Sequence, residues 1–393
     1  MGRWQCWIMG VVIMVQGVVH AADVSDTAQM AFDARRTAPK ISRNLFGVFT
    51  EHIGTNVYQG AWAQIVHNPE MVSLFRWPSM PHRKPVLAGE AAAFGLPDLQ
   101  DSWRHGIAAQ WARYGDVQGS LIYDGVRDVQ RLVVDKPGAG LTTGLYPPLH
   151  RTHKFELTLK ARADRRCTAR VFLSSLDGVV LGEVAMPLTV KWTETTTVLN
   201  VDAPADLPAG SACLLGLRFN RATTVEINRV LLFPSDHVDG WEPEVVQHMK
   251  DVQLPLLRFP GGNFVSGYDW RDGIGPLGTR PTLPNPAWNE VEWNHVGTDE
   301  WLRLCALTGA EPMICVNAGD GTAEAAAQWV GYCNADAATG WGAKRAASGH
   351  DDPYGVRYWE IGNELWGPWQ VGHTTASGYV SRYRAFTEAM RAV

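Results

Sequence analysis

The stretch Tyr358-Trp-Glu-Ile-Gly-Asn-Glu-Leu-Trp-Gly-Pro-Trp369 contains a short apolar run that ends in polar residues. The pattern predicts a buried strand over 355–362, with Asn363 and Glu364 just beyond its carboxyl end. On its own, an Asn-Glu pair is also typical of a helix cap followed by an acidic first turn. Patterns elsewhere in the sequence are therefore needed to distinguish a helix cap from a functional site.

Three further predicted strands end in the same way. Polar residues close or follow each of them: Glu51 for 45–51, Asn263 for 254–259 and Asn317 for 312–317. Helices are predicted between and after these strands, over 299–309, 322–333 and 377–393. Alternating strands and helices indicate a parallel sheet, and polar residues at its carboxyl edge mark the active-site face of a (β/α)8 barrel. We therefore predict an α/β fold that contains the first half of a TIM barrel.

Residues 81–237 follow a different pattern, in which short alternating runs such as 155–161 and 224–232 are separated by turn residues. Several strands at this spacing predict an all-β sandwich inserted into the barrel. A sandwich of this kind binds carbohydrate or acts as a spacer, and the sequence favours neither. The barrel would then begin within 23–80, with a first strand and a helix over 61–75, and resume over 238–393.

The amino terminus is typical of a secretory signal peptide. Arg3 is followed by a mostly apolar run over 4–19 and by small residues at Ala21 and Ala22. The run is too short and too interrupted for a stable membrane span. We therefore predict a signal peptide over 1–22 and a mature protein that is secreted or periplasmic and is not held in a membrane.

The composition excludes several classes of protein. The chain has 393 residues, 46% apolar and 19% charged, which does not fit a disordered tail, a collagen or a coiled coil. The net charge of −5 offers no basic surface for nucleic acid. The 17 Trp residues are unusual, and indole rings are suited to stacking on sugars, although most Trp residues in any protein serve packing.

No metal or cofactor is predicted. Five cysteines remain once Cys6 is removed with the signal peptide, and they lack metal-ligand spacing. Neither an HExxH motif nor a phosphate-binding glycine motif is present. Cys167 and Cys213 lie in one predicted region and are open candidates for a disulfide, whereas buried free thiols are expected for the other three cysteines.

The polar strand ends suit glycoside hydrolysis. That reaction requires a carboxylic acid that protonates the leaving oxygen and a second carboxylate across the glycosidic bond. We predict Glu364 as the acid/base and Asn363 as a hydrogen-bonding partner of a sugar hydroxyl. Glu360 has the same strand parity as Glu364, but a buried carboxylate paired with Arg or Lys is the favoured interpretation.

Two further segments are candidates for contact with the sugar. Glu51 and His52 close the first predicted strand and are candidate sugar ligands, with a surface turn as the alternative. Asn263 follows Pro260-Gly-Gly, in which the small residues let the backbone approach a ligand closely.

Six motifs are specific enough, taken together, to indicate a family. They are Phe49-Thr-Glu-His52, Val66-His-Asn68, Leu257-Arg-Phe-Pro-Gly-Gly-Asn-Phe-Val-Ser-Gly-Tyr-Asp-Trp270, Val296-Gly-Thr-Asp-Glu300, Gly309-Ala-Glu-Pro312 and Trp359-Glu-Ile-Gly-Asn-Glu-Leu-Trp-Gly-Pro-Trp369. These motifs closely resemble the α-L-arabinofuranosidases of glycoside hydrolase family 51. The resemblance covers roughly 41–75 and 238–393, and the region between looks like the carbohydrate-binding-like insertion seen in part of that family.

The resemblance implies a retaining exo-hydrolase that removes terminal non-reducing α-L-arabinofuranosyl groups from arabinoxylan, arabinan or their oligosaccharides. Carried over residue by residue, Glu364 matches the acid/base and Asn363 its neighbouring hydroxyl ligand, while Glu51 and Asn263 match sugar-binding positions. The resemblance implies no cofactor. Members of the family often form homo-oligomers, and the sequence leaves the oligomeric state open.

Trp270 and Trp366 are predicted, from their placement beside these motifs, to wall the site. The chain departs from the family in one respect, because the family's nucleophile is a second Glu at the end of a later barrel strand that this sequence does not reach. The family's terminal β-sandwich is also absent. Half a barrel leaves an open sheet edge and an uncovered apolar face. We therefore expect a truncated, N-terminal part of a longer enzyme, inactive or nearly so when isolated.

Two alternatives remain open at this stage. One is an endo-acting glucanase or xylanase on the same scaffold, which a long cleft with several stacked Trp rings would favour. The other is a non-catalytic polysaccharide-binding fragment that uses the sandwich. Neither the polysaccharide nor the preferred linkage follows from the sequence.

Overall fold

Parallel and antiparallel strands form separate sheets in this chain. A computed structural model describes residues 40–73, 91–97, 99–125, 127–204 and 207–393, so the predicted signal peptide lies outside the described residues. The strands are β1 (Val48–Phe49), β2 (Trp111–Tyr114), β3 (Val117–Tyr123), β4 (Asp128–Val134), β5 (Gly140–Leu145), β6 (Lys154–Ala163), β7 (Cys167–Ser175), β8 (Val180–Leu188), β9 (Thr193–Asn200), β10 (Cys213–Phe219), β11 (Thr223–Pro234), β12 (Leu256–Phe259), β13 (Leu283–Asn285), β14 (Glu290–Glu292), β15 (Glu311–Val316) and β16 (Tyr358–Ile361). The helices include α1 (Leu99–Arg104), α2 (Pro243–Asp251), α3 (Thr298–Thr308), α4 (Ala323–Asn334), α5 (Gly340–Ala347) and α6 (Ala376–Arg391).

The parallel sheet has the strand order β1-β12-β15-β16. Leu257 of β12 lies opposite Val48 of β1 and Pro312 of β15. Helices α3, α4 and α6 follow β12, β15 and β16 along the chain, and their apolar side chains share one core with the sheet, which includes Leu257, Trp301, Ile314, Trp329 and Phe386. The predicted alternation of strands and helices is therefore confirmed. Within the described residues the four strands do not close into a barrel.

The first strand is shorter and more exposed than the sequence predicts. A 3₁₀ turn covers Arg43–Phe46 and β1 contains only two residues, instead of the buried strand predicted over 45–51. Val48 and Phe49 are 49% and 54% exposed, because β1 is an edge strand that pairs only with β12 among the described residues. Glu51, just beyond it, is nevertheless buried.

The helix predicted over 61–75 is wrong, because the described part of it, residues 61–73, is not helical. Its backbone groups bond elsewhere: Ile65 N donates to the carbonyl of Leu232 in β11, and Pro69 accepts from Val230 N of the same strand. Pro69 also lacks the N–H that a helix interior requires. The helix-like apolar spacing arises because Trp62 and neighbouring apolar residues are buried against two different cores.

The predicted β-sandwich is present. One sheet has the order β2-β5-β10-β7-β8 and the other β3-β4-β11-β6-β9, and both are antiparallel. In β6, every second residue points inward. Phe155, Leu157 and Leu159 are therefore buried, and the residues between them are not. These ten strands lie within the range 81–237 predicted for the insertion.

All five cysteines in the described residues are free and buried. Cys167 begins β7 and Cys213 begins β10, and the two strands pair antiparallel with Cys213 opposite Ser175. The two thiols therefore lie at opposite ends of this strand pair. That separation rules out the disulfide considered from the sequence.

Residues 43–393 form one compact unit, in which the sandwich packs against the α/β region. The segment before the sandwich contributes to this packing, because Val66 and Met71 are fully buried in the sandwich core. Among the described residues, no helix combines the length and apolarity needed to cross a membrane.

Candidate active site

Three polar residues predicted from the sequence meet at the carboxyl edge of the parallel sheet. Glu51 follows β1, Asn263 follows β12 and Asn363 follows β16, so the parallel topology places them at one edge. Nδ2 of Asn363 lies 3.5 Å from Oδ1 of Asn263. Oε1 of Glu51 accepts a 3.0 Å hydrogen bond from the backbone N–H of Phe264, the neighbour of Asn263. Three of the four polar strand ends predicted from the sequence therefore come together.

Glu51 is buried and held in one orientation. Its Oε1 also accepts a 2.7 Å hydrogen bond from Nε1 of Trp288. Burial raises the pKa of the Glu51 carboxyl, and the hydrogen bonds from Phe264 and Trp288 oppose that shift only in part. Gly262 makes room for the carboxylate: its φ is 56°, and a Cβ at this position would lie 2.0 Å from Oε2 of Glu51. Glycine is required here by both its conformation and the close approach.

Arg258 of β12 connects the neighbouring strand ends. Its Nη2 donates to Oδ1 of Asn363 at 2.9 Å, and its Nε donates to the carboxylate of Glu360. The pairing of Glu360 with an arginine is therefore confirmed, but its side chain is 34% exposed and not buried as predicted. Because the Asn363 oxygen faces Arg258, its NH₂ group is the part of the side chain left to donate to a ligand.

Glu364 occupies a strained position next to Asn363. Its φ is 48°, in the left-handed region that non-glycine residues rarely adopt, and its side chain is exposed. Gln370 fixes the turn, because its Nε2 donates to the carbonyl of Asn363 at 2.9 Å and to Oγ of Ser266 at 2.6 Å. Residues held in this way by their surroundings often cluster at functional sites.

His52 lies behind the site and is not a surface residue. It is 3% exposed, and its ring stacks on Tyr58 with the ring centres 5.2 Å apart. Nδ1 of His52 is 3.4 Å from Oε2 of Glu292, whose other oxygen accepts from the Tyr58 hydroxyl. Burial lowers the pKa of His52 to about 3 and raises that of Glu292 to about 8. Both groups are therefore mainly uncharged at neutral pH. The surface turn considered for His52 is wrong, and a contact between His52 and a sugar stays a prediction.

The two tryptophans predicted to wall the site differ sharply in exposure. Trp270 is 3% exposed, stacks on Trp329 at 5.6 Å between ring centres, and donates its indole N–H to the carbonyl of Ala325. Trp270 therefore packs in the core, and its position does not support the prediction that it walls the site. Trp366 is 67% exposed and meets Trp369 edge to face, which leaves it available to a ligand.

Asn317 does not join the other strand ends. Its Nδ2 donates to Oδ1 of Asp320 and to the carbonyl of Tyr268, and its Oδ1 accepts from the N–H of Gly319. All of these bonds stabilise its own loop and the adjacent one. The pattern of polar strand ends therefore predicted one residue, Asn317, that does not reach the site.

Sequence reasoning missed three residues that shape this edge of the sheet. Arg258 carries a detectable signal, since it is a charged residue inside an otherwise apolar predicted strand. Trp288 and Gln370 lie in loops and follow no periodic pattern, so only the folded chain reveals that they contact Glu51 and Asn363. Within the ranges that the structure describes, no group of three or more His, Cys, Asp or Glu side chains is placed to hold a metal ion.

Comparison with known proteins concerns mainly the α/β region. Residues 248–393 match the family model described as the alpha-L-arabinofuranosidase 1 domain. Alpha-L-arabinofuranosidase C of Emericella nidulans is 40% identical over 158 residues, which are 40% of this chain and 31% of that protein. The intracellular exo-alpha-(1->5)-L-arabinofuranosidase 1 of Bacillus subtilis is 42% identical over 146 residues, or 37% of this chain and 29% of that protein. The chain thus spans about a third of the length of these curated relatives.

Among solved structures, the arabinose-bound MgGH51 α-L-arabinofuranosidase has a TM-score of 0.71 and 21% sequence identity, over 88% of this chain and 56% of that one. At this identity the likeness shows a shared fold, and it fits an α/β architecture related to the TIM barrel. The resemblance of this chain to the α-L-arabinofuranosidases of glycoside hydrolase family 51 is thereby confirmed, and residues 248–393 carry the sequence similarity.

Proposed function

We propose that this chain forms the acid/base half of an exported, retaining α-L-arabinofuranosidase that releases terminal non-reducing arabinofuranosyl groups from arabinoxylan or arabinan. One observation carries the proposal: Glu51, Asn263 and Asn363 converge at the carboxyl edge of a parallel sheet, next to the strained Glu364. The relatives named above, which are called arabinofuranosidases, support the arabinofuranosidase activity in this proposal.

In this proposal Glu364 protonates the leaving glycosidic oxygen and later deprotonates the attacking water. Its exposure suits contact with a departing sugar at the mouth of the site. Asn363, oriented by Arg258, donates its NH₂ group to a hydroxyl of the arabinofuranose ring. Glu51 and Asn263 bind further hydroxyls, and no metal or cofactor is needed because two carboxylates and water suffice.

The nucleophile must be a second carboxylate, about 5–5.5 Å from the first in a retaining enzyme. Glu51 is poorly suited to this role, because burial raises its pKa and a nucleophile has to be ionised. We therefore propose that the nucleophile is supplied from outside this sequence and that residues 1–393 alone are inactive or nearly so. The coverage of about a third of the curated relatives agrees with this proposal.

Hydrolysis of an aryl α-L-arabinofuranoside tests the proposal in two steps. The purified chain of 393 residues is expected to release almost no phenol. Any longer protein that includes this chain is expected to release it, and Glu364→Ala in that protein should reduce turnover, with azide restoring it through an arabinosyl azide product. Glu311→Gln is the matched control, because Glu311 lies at the opposite end of β15 and pairs with Arg357.

Two outcomes would contradict the proposal. Robust turnover by the isolated chain, lost in Glu364→Ala, would disprove the missing nucleophile but keep the acid/base. Activity that survives Glu364→Ala in the longer protein would remove Glu364 from the mechanism. Analysis of the products from linear xylan separates the exo-acting enzyme from an endo-acting xylanase, since an exo-arabinofuranosidase leaves an unsubstituted backbone uncut.

Export remains part of the proposal and rests on the sequence of residues 1–22. Expression of the full chain with its amino terminus intact, followed by amino-terminal sequencing of the extracellular or periplasmic protein, tests it. Cleavage next to Ala21 or Ala22 is expected. Retention of the uncleaved chain inside the cell would overturn export without affecting the proposed chemistry.

A further inference from the structure

A buried ionic network connects the sandwich to the α/β region. Glu70 is its centre: Oε1 accepts from Nε of Arg229 at 2.7 Å and contacts Nε2 of His295 at 3.0 Å, while Oε2 accepts from Nη1 of Arg127 at 3.0 Å. All four side chains are 4% exposed or less. Arg127 precedes β4 and Arg229 lies in β11, so both arginines belong to the sandwich.

The two arginines also hold the backbone of residues 275–296, which we call the pocket segment. Nη2 of Arg127 donates to the carbonyls of Gly278 and Arg280, at 3.0 and 2.7 Å. Nη2 of Arg229 donates to the carbonyl of Leu277 at 3.3 Å. A planar guanidinium can bind a carboxylate and two carbonyls at once, which a lysine cannot do in the same geometry.

The pocket segment in turn touches Glu51 and its neighbours. Its Trp288 donates the 2.7 Å hydrogen bond to Glu51, and Asn285 donates to the carbonyl of His52 at 2.7 Å. Glu290 accepts from the backbone N–H of Gly54 at 2.9 Å. One side of the Glu51 carboxylate is therefore closed by a segment that begins at the sandwich arginines.

The pocket segment has little regular structure to support itself. Its hairpin consists of β13 and β14, which are three residues each and, within the described ranges, pair only with one another. An isolated two-stranded hairpin is marginally stable in water. Its position therefore depends on contacts made from outside, which include the three arginine hydrogen bonds near its amino-terminal end and the ion pair of Arg280 with Glu300 in α3.

We propose that the sandwich is a positioning element of the sugar pocket, in which Arg127 and Arg229 hold the pocket segment so that Trp288 stays bonded to Glu51. This inference rests on the proposed function only in treating Glu51 as part of the sugar pocket. It assigns the sandwich a structural contribution to the site, whether or not the sandwich also binds polysaccharide.

Hydrogen exchange of the full 393-residue chain without ligand tests the anchoring. In Arg127→Ala, amides within 283–292 are expected to exchange at least about tenfold faster, while amides of β6 keep their wild-type rates. Arg131→Ala is the matched control, because Arg131 lies in β4 and pairs with Glu226 but makes no contact with the pocket segment. Unchanged exchange over 283–292 in Arg127→Ala would overturn the inference. If this variant fails to fold, Arg127→Lys is measured instead. It keeps the positive charge but loses the planar guanidinium that binds the carboxylate and the carbonyls together.

Binding of arabinose to the same proteins tests the consequence for the pocket. Arg127→Ala is expected to weaken arabinose binding at least about tenfold, Arg131→Ala to leave it unchanged, and Arg127→Lys to restore part of it. Trp288→Phe should weaken binding without faster exchange in 283–292. Faster exchange with unchanged arabinose affinity would contradict the positioning role.

The two experiments separate failure of this inference from failure of the proposed function. Absence of arabinose binding by the wild-type chain, together with absence of activity in any longer protein, would count against the proposed function alone. The exchange measurement would then still confirm or refute the anchoring of the pocket segment by the sandwich.

Discussion

Apart from Arg127 and Arg229, which are buried, the sandwich carries its ion pairs on outer faces, whereas the α/β region buries polar groups at its strand ends. On the sandwich, Glu226 pairs with Arg131 and Arg162 on an outer face of the sheet, where both arginines are more than two-fifths exposed. In the α/β region, polar groups are buried at the strand ends, and the Tyr268 hydroxyl and the indole N–H of Trp301 have no hydrogen-bonding partner among the described residues. Unpaired buried polar atoms are costly, and the sandwich contains them too, for example Oδ1 of Asn228 in β11. The comparison therefore shows that the gathering of buried polar groups at the strand ends, and not unpaired atoms as such, distinguishes the candidate site.

The largest effect is expected from Glu70→Ala. This change leaves Arg127 and Arg229 buried without their shared carboxylate, which should lower the free energy of unfolding by about 3–5 kcal/mol. Glu226→Ala, which breaks the half-exposed pairs of the sandwich, should cost about 1 kcal/mol or less. Urea unfolding of the full chain measures both, and equal losses would contradict the contrast between the buried and the half-exposed ion pairs.

The next largest effect concerns pH. The pKa of Glu292 is raised by burial to about 8, from about 4.5 for the free group, so the folded chain holds a proton in this range that the unfolded chain releases. Stability should therefore fall as pH rises from 4.5 through 8, by up to about 1.4 kcal/mol per pH unit. Burial lowers the pKa of His52 to about 3, so stability should also fall as pH drops from about 6.5 through 3.

Glu292→Gln should remove the loss of stability at rising pH and keep the loss of stability at falling pH. The urea midpoint at pH 5.5, 7 and 8 measures this, with Glu388→Gln on the exposed side of α6 as the control. A wild-type stability that is flat from pH 5.5 to 8 would refute the buried, protonated state of Glu292. The described residues of the sandwich include no buried carboxyl whose pKa is raised in this way. The free energy of local opening of the sandwich should therefore not fall as pH rises through this range.

Gly262→Ala should have an intermediate effect that is confined to the site. The new Cβ would lie 2.0 Å from Oε2 of Glu51 at a φ of 56°, so strain of about 1–3 kcal/mol is expected. If the Glu51 carboxylate moves to relieve it, arabinose affinity should drop roughly tenfold or more. Gly267→Ala is the control, because a Cβ there meets no atom within 4 Å. Equal affinities in the two variants would show that Glu51 does not bind the sugar.

The smallest effect on stability is expected from Trp366→Ala. Trp366 is 67% exposed, so the free energy of unfolding should change by no more than about 0.5 kcal/mol. Binding of an arabino-oligosaccharide should nevertheless weaken several-fold while binding of arabinose itself stays the same, because the exposed ring is available to stack on a second sugar. Trp192→Ala in the sandwich is the comparison in the other region. A loss of oligosaccharide binding in Trp192→Ala alone would place the sugar contact on the sandwich.

The sandwich could be predicted from sequence because its signal is local. In β6, alternate residues such as Phe155 and Leu157 face the core, and the period of two is visible without knowledge of the partner strands. The strand ends of the α/β region were also predictable, since parallel topology forces Glu51, Asn263 and Asn363 to one edge.

The remaining errors come from contacts between residues far apart in the chain. His52 is buried because Asn285, Glu292 and their hairpin fold against it, more than 200 residues later. Residues 61–73 show helical spacing because they lie between two cores, and no local pattern separates that arrangement from an amphipathic helix. Trp270 and Trp366 both lie in motifs that mark the predicted site, and only tertiary packing decides that one is buried and the other exposed.

The buried cysteines give the chain a set of internal reporters. Cys167 and Cys213 lie in the sandwich, and Cys305, Cys315 and Cys333 lie in the α/β region. Burial raises the pKa of each thiol, to about 11 for Cys213, so each is shielded and protonated in the folded chain. A thiol reagent therefore labels each region only as fast as that region opens. Mass spectrometry of the labelled peptides would time the opening of the two regions separately in one experiment, with no residue replaced.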